Sequence, residues 1–330
     1  MKLELFRSEK SNDIYNSNNF PFDLKLQMRK LAEHQLRLQQ QITTGQRVTT
    51  ASDDPKAMRR VLDLRTERSM LTQYQDNINT LRENANVVYS TTNSLKRLSD
   101  RASELAALAD GTKGHTAISA YAKEVDQLLE EAVRLSNTQH RDVYIFSGTN
   151  AKTAAYNPTR DADGQITGVT FTGNANSIQV DIAPSAAVNA NYSAEGTGGV
   201  LKNTQNGSDF ITNLIALRDN LTTAADTSLT KDQNNAALDT IKTTVSANLD
   251  KDEVNFIDHF SSIGATLSRL DTSEAITKQQ VEAIEPLVSN EVDVDLADSL
   301  VRLNEIQNAY TAALQAGGTL LKTSLLDYIR

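Results

Sequence analysis

The stretch from Pro55 to Ala109 constrains this chain more than any other. Its inward positions run Leu71, Tyr74, Ile78, Leu81, Ala85, Val88, Thr92, Leu95, Leu98, Ala102, Leu105 and Ala109. The steps alternate three and four, with one early step from Leu95 to Leu98, and such a stripe is the seam of a helix packed lengthwise on another helix. No glycine or proline interrupts the run after Pro55. At a rise of about 1.5 Å per residue, the helix would extend roughly 80 Å, more than an ordinary globular domain is wide. It needs partner helices, from this chain or from neighbouring copies.

The composition suits such an architecture. Only 39% of the 330 residues are hydrophobic and 5% aromatic, with no Trp. That is little for a large round core and enough for narrow helical stripes. The net charge of −9 argues against nucleic acid as a partner. With no Cys, disulfides, zinc–thiolate sites and thiol nucleophiles are impossible. The first residues carry Lys2, Glu4, Arg7, Glu9 and Lys10 and no apolar run, so no secretory signal peptide is expected there. No stretch approaches the roughly 20 apolar residues of a membrane span, and no membrane insertion is expected.

In chain order, residues 1–21 read as a mobile arm. A helix follows with Leu24, Met28, Leu31, Leu38 and Ile42 at heptad spacing and Gln35 as a polar interruption, stopping near Gly45. The segment Ser52-Asp53-Asp54-Pro55 reads as a helix start, with Asp54 as cap and Pro55 in the first turn. After Gly111–Gly114, a returning helix carries Ile118, Tyr121, Val125, Leu128, Ala132 and Leu135. At Val143 the period changes. The run Val143–Gly148 reads as a strand, and turn signals with alternating runs at Val169/Phe171 and Ile178/Val180/Ile182 continue to about Gly207. Helical patterning resumes at Phe210, Leu214, Leu217 and Leu221, then Leu238, Ile241 and Val245, then Val254, Ile257, Leu267 and Leu270. Pro286 is expected to kink or interrupt that segment. Asp293 or Asp295 can cap the last helix, whose seam reads Leu300, Leu303, Tyr310, Leu314 and Leu321.

The fold class expected is mainly α with a β-rich insertion. An elongated antiparallel bundle is built from the N- and C-terminal halves, residues 22–146 and 208–330, with a small β domain over 147–207.

No constellation supports an active site, a cofactor or a metal. Asp161-Ala162-Asp163-Gly164 resembles the start of a calcium loop, but Thr172 stands where the closing Glu belongs, so a hairpin turn is expected. His140-Arg141-Asp142 mimics a kinase triplet without its metal-binding Asn. Gly196–Gly199 opens no helix, and the four histidines lack ligand spacing. Arg59, Arg60, Arg65 and Arg68 form either a solvated face or a contact with an acidic neighbour. The terminal seams differ: nothing in the chain is obliged to cover Leu24–Ile42 or Leu300–Leu321, so both are expected to pack between molecules.

Several runs are similar to the flagellin-like family of flagellar axial proteins. They are Gly45-Gln46-Arg47 with Ser52–Pro55, Gln73-Tyr74 with Asn77-Ile78, Tyr144–Gly148, Gln307–Leu314 and Ser324–Tyr328. Within that family they most resemble the hook-associated protein 3 group of hook–filament junction proteins. The resemblance implies a structural, non-enzymatic protein, exported unfolded through the flagellar type III channel without a cleaved signal and located extracellularly on the flagellum. It implies self-association in a ring, hook-associated protein 1 and flagellin as neighbours, and an escorting export chaperone. A minor flagellin forming the filament itself is the alternative. A helical sensor with a ligand-binding β insert is a third reading from another class.

Overall fold

The computed structural model describes residues 20–328; the expected mobile arm lies outside them, apart from the first residues of a helix that begins at Phe20. The helices are α1 (Phe20–Thr44), α2 (Pro55–Leu108), α3 (His115–Ser136), α4 (Phe210–Ala225), α5 (Lys231–Thr240), α6 (Ser246–Val292) and α7 (Leu296–Tyr328). A π-helical turn, Ile241–Val245, joins α5 to α6. Between α3 and α4 lie nine short strands, from β1 (Gln139–His140) to β9 (Ser208–Asp209). The protein is mainly helical with a β region between N- and C-terminal helices. It divides into two compact units: one holds residues up to Ser69 and from Val281 onward, the other Met70–Gln280. Helices α2 and α6 contribute to both.

In the second unit α2 and α6 run antiparallel. Arg82 pairs with Asp271 at 3.1 Å, Tyr89 stacks edge-on against Phe260 at 5.1 Å, and Lys96 faces Glu253 at 3.5 Å. The α2 seam buries Ile78, Leu81, Ala85, Val88, Thr92 and Leu95, then Ser99 and Ala102. The early step to Leu98 is thereby removed: Leu98 is half-buried at the flank, and Ser99 continues the alternation. Apolarity alone hides a seam position occupied by a small hydroxyl residue.

Helix α6 corrects the expectation in the same way. Val254 and Ile257 are exposed; the buried line is Val245, Leu249, Asp252, Phe256, Ile263 and Leu270, with His259 half-buried between. Two polar residues sit in the seam because the surface they meet is a β segment rather than an apolar helix. Asp252 accepts hydrogen bonds from the Ser208 hydroxyl (2.7 Å), the Asp209 amide (3.0 Å) and Asn213 Nδ2 (2.7 Å). Asn255 donates to the carbonyls of Gly199 and Val200 and accepts from Asn203 and Asn206. Burial pushes the His259 imidazole pKa down, and its Nε2 lies 3.2 Å from the Gly199 carbonyl. A buried carboxylate is tolerated only when its lone pairs are matched, as they are here. Pro286 does not interrupt α6. The carbonyl freed by its missing N–H is that of Glu282, and both residues are exposed, so water can serve it.

The β region forms two-stranded hairpins β1–β2, β3–β4 and β5–β6 and a three-stranded sheet β7–β8–β9. None is large enough to bury a face on its own. Their apolar side chains sit on helices instead: Ile182 and Val188 cluster with Ile78, Leu81 and Leu270, while Phe146, Tyr156, Ile166 and Leu201 join the main helical core. The strand expected over Val143–Gly148 is only Val143–Tyr144; Ile145 and Phe146 are buried in a turn that follows it. Gly148 ends that turn at φ +65°, where a Cβ would fall 1.9 Å from the Asn174 carbonyl oxygen, so only glycine fits. The kinase-like triplet is a two-residue hairpin turn, Arg141 and Asp142 both holding positive φ. The calcium-like run is the β3–β4 turn, with Asp161 accepting from the amides of Asp163 and Gln165.

One buried cation completes this unit. Arg218 on α4 donates to the Ile166 carbonyl at 2.6 Å and pairs with Asp126 (3.2 Å) and Asp219 (2.6 Å), tying α4 to α3 and β4.

Candidate functional site

The terminal helices belong to the first unit and pack on each other antiparallel. The Val294 amide donates to the Gly45 carbonyl at one end (3.0 Å). At the other end Gly317 lies against Leu24, and a Cβ there would meet Leu24 Cδ2 at 2.7 Å. Leu24, Met28, Leu31, Leu38 and Ile42 are all half-buried, with Gln35 among them. The α7 positions withdrawn from solvent are Ser299, Leu303, Ile306, Tyr310, Ala313 and Gly317, a clean four–three alternation.

This splits the stripe read from the sequence. Leu303 and Tyr310 lie on the α1 side, whereas Leu300 and Leu314 are each 48% exposed and lie off that seam, and Leu296 and Val301 are exposed as well. The side chain of Leu321 lies outside the described residues. Sequence reasoning missed Ser299 and Ile306; the signal available was that 299, 303, 306, 310, 313 and 317 repeat without a slip, at the cost of admitting serine and glycine. On α1, Phe22 is 70% exposed, and Leu26 and Leu36 are also exposed. The helix pair therefore satisfies one stripe within the molecule and leaves a second unpartnered.

The connections at the base of this pair are cross-linked. Gln46 and Asp293 form a β-bridge, the Arg47 amide donates to the Val292 carbonyl (2.6 Å), and Val48 is buried. Arg47 donates from its guanidinium to Asp54 (3.2 Å) and to the Glu291 carbonyl (2.8 Å). Two of the four early arginines are spent inside the chain: Arg60 grips Glu291 through two bonds of 2.7 Å, and Arg68 meets Glu285 at 2.8 Å.

The helix-start residues take distinct parts. Asp54 caps α2, accepting from the amides of Lys56 (3.1 Å) and Ala57 (3.0 Å), with Pro55 next. Asp53 closes the preceding turn, accepting from the amides and hydroxyls of Thr49 and Thr50; these bonds, the Thr50 amide first, hold its pKa at about 2. Ser52 lies 2.8 Å from the Thr50 hydroxyl and makes no helix cap. The Ala57 amide, and then Arg47, hold Asp54 below the usual carboxylate range. Its lowered pKa means that this stabilisation is present at neutral pH and is lost as pH falls below the ordinary carboxylate value. Asp54→Ala is expected to lower the melting temperature by about 2 °C at pH 7, with a smaller effect once the pH falls below the lowered folded pKa of Asp54, read by circular dichroism.

Among the described residues, no three or more His, Asp or Glu side chains group to hold a metal, and no helix is long and apolar enough to cross a membrane.

Residues 16–151 match the family model described as the bacterial flagellin N-terminal helical region. No curated protein sequence matches the chain. Among solved structures, a putative flagellar hook-associated protein from Vibrio parahaemolyticus is similar over 73% of this chain and 100% of its own, at 20% identity and TM-score 0.60. FlgL from Xanthomonas campestris matches 67% of this chain and 98% of its own, at 15% identity and TM-score 0.55. The flagellar junction protein FlgL from Legionella pneumophila matches 70% and 99%, at 14% identity and TM-score 0.51. The chain shares their fold.

Proposed function

We propose that this chain is a structural component of the bacterial flagellum that joins hook to filament, assembling through its terminal helices. The observation that carries the reading is the second apolar stripe of the α1–α7 pair, with Phe22, Leu26, Leu300 and Leu314 facing solvent. That stripe stands on a fold shared with a putative flagellar hook-associated protein and a flagellar junction protein. Packing such stripes between copies offsets the cost of ordering the helices, about 1–2 kcal/mol per backbone residue. In this reading Leu24, Met28, Leu31, Leu38, Ile42, Leu303 and Tyr310 hold the pair together, and Leu300 and Leu314, with Leu321 beyond them, meet neighbours. The neighbours are further copies in a ring, hook-associated protein 1 on one side and flagellin on the other. The chain is exported to the cell exterior, escorted by a chaperone, and has no catalytic role.

Deleting the gene tests this: cells should carry hooks without filaments and shed flagellin into the medium, and normal filaments would overturn the reading. The match of residues 16–151 to the flagellin N-terminal region favours a second reading, a minor flagellin. Growth of long filaments from the purified chain alone would select it.

A further inference from the structure

We propose that Asn206 is a modification site gated by the fold: it loses ammonia when the segment Gly199–Asp209 lifts from α6, and the product keeps that segment from reseating. Asn206-Gly207 is the one Asn-Gly pair in the chain. It forms the turn between β8 (Lys202–Asn203) and β9, with Gly207 at φ +75°. Glycine leaves its amide nitrogen unshielded and its backbone free to swing. In the reaction the Gly207 nitrogen gives up its proton to base and bonds to Asn206 Cγ. The Cγ–Nδ2 bond breaks, ammonia leaves, and a five-membered imide closes. Water then opens the ring, either to aspartate or to isoaspartate, in which the main chain runs through Cγ.

The folded turn opposes this reaction at both reacting groups. The Gly207 N–H donates to the Asn203 carbonyl at 3.0 Å, so the attacking nitrogen keeps its proton. The leaving Nδ2 of Asn206 donates to Asn255 Oδ1 at 3.2 Å, and the Ser208 amide donates to Asn206 Oδ1 at 2.9 Å, which together fix the side chain. Asn255 cannot turn to suit a different partner. It is buried, and its own Nδ2 is committed to the carbonyls of Gly199 (3.1 Å) and Val200 (2.9 Å), so its Oδ1 must face Asn203 and Asn206. That commitment also acts on the product. A carboxylate at position 206 sets an acceptor against the Asn255 acceptor, one helical turn from the Asp252 carboxylate. Isoaspartate lengthens the main chain of a turn whose strands pair Asn203 with Ser208. Opening of the segment permits the reaction, and the reaction then favours the open segment.

The test is incubation of the full chain at mildly alkaline pH, with and without urea, followed by mass spectrometry of the tryptic peptide 203–218. Without urea, Asn206 should deamidate more slowly on the order of tenfold or more, the factor by which two hydrogen bonds suppress an open form. Asp252→Ala, which takes away the acceptor of Ser208 and Asp209, should speed the loss without urea. Asn206→Asp reproduces the aspartate product and should lower the melting temperature by about 3 °C. Equal rates with and without urea, no gain in Asp252→Ala, or an Asn206→Asp chain that melts with the parent would overturn the proposal. The comparison in urea needs no variant to fold.

Discussion

Leu314→Asp is expected to leave the subunit folded and to abolish its incorporation into filaments. Leu314 is 48% exposed and stands off the α1–α7 seam, so a carboxylate there meets water in the lone molecule, and the melting temperature should move by no more than about 1 °C. In the proposed assembly, the same position would be covered. Each leucine buried between copies contributes about 1.5–3 kcal/mol, and a carboxylate forced into that contact costs more still. The loss recurs at every copy in a ring, so the effect on assembly is close to all-or-none. Leu303→Asp provides the contrast. Leu303 is withdrawn from solvent on the α1 side, and a charge there should free α1 from α7 and raise amide exchange along both helices before any assembly. Motile cells with ordinary filaments carrying Leu314→Asp would sink the proposed interface.

Asp252→Ala is expected to cost about 3–5 kcal/mol and to loosen the segment Gly199–Asp209 from α6. The substitution strands the Ser208 hydroxyl, the Asp209 amide and Asn213 Nδ2, each buried or half-buried with Asp252 as partner. An unmet buried polar group costs about 1–3 kcal/mol. Asp252→Asn removes the charge at nearly constant shape, with its oxygen still accepting from Ser208 and the Asp209 amide and its NH2 donating to the Asn213 amide once that amide is flipped. Burial pushes the Asp252 pKa up to about 6 from the ordinary 3.8, outweighing the three hydrogen bonds that pull it down. A raised folded pKa contributes stability that is fully present below pH 3.8 and is lost as pH rises through about 6. The charged form thus weighs against the folded state by about 3 kcal/mol at pH 7. Asp252→Asn should therefore match or exceed the parent at pH 7 and flatten its stability between about pH 4 and 6. Urea denaturation at those pH values reads both. A loss of more than about 2 kcal/mol for Asp252→Asn at pH 7 would show instead that the carboxylate is the favoured form.

The unbroken run after Pro55 and the three–four spacing were enough to specify α2, because a helix with a long apolar stripe has few alternatives. The caps at Asp54 and Asp295 and the change of period after residue 140 were equally legible, since capping and strand alternation are local effects. Local chemistry does not say what a stripe faces. Ser99 in the α2 seam, Asp252 in the α6 seam, and Ser299 and Gly317 on α7 are polar or small, so an apolarity count assigned their places to Leu98, Val254, Ile257 and Leu300. Each is explained by its partner surface. Strand β9 and Asn213 on α4 offer donors to Asp252, and at Gly317 the backbone of α7 comes close enough to Leu24 that a larger side chain would collide.

The sequence by itself determined the main helices, their order, the β region between them and, with no Cys, the absence of thiol chemistry. Tertiary packing alone decided which half of the terminal stripe is covered inside the molecule and which is left exposed. A heptad pattern records that a residue seeks cover; only the neighbour's position settles whether that cover comes from the same chain.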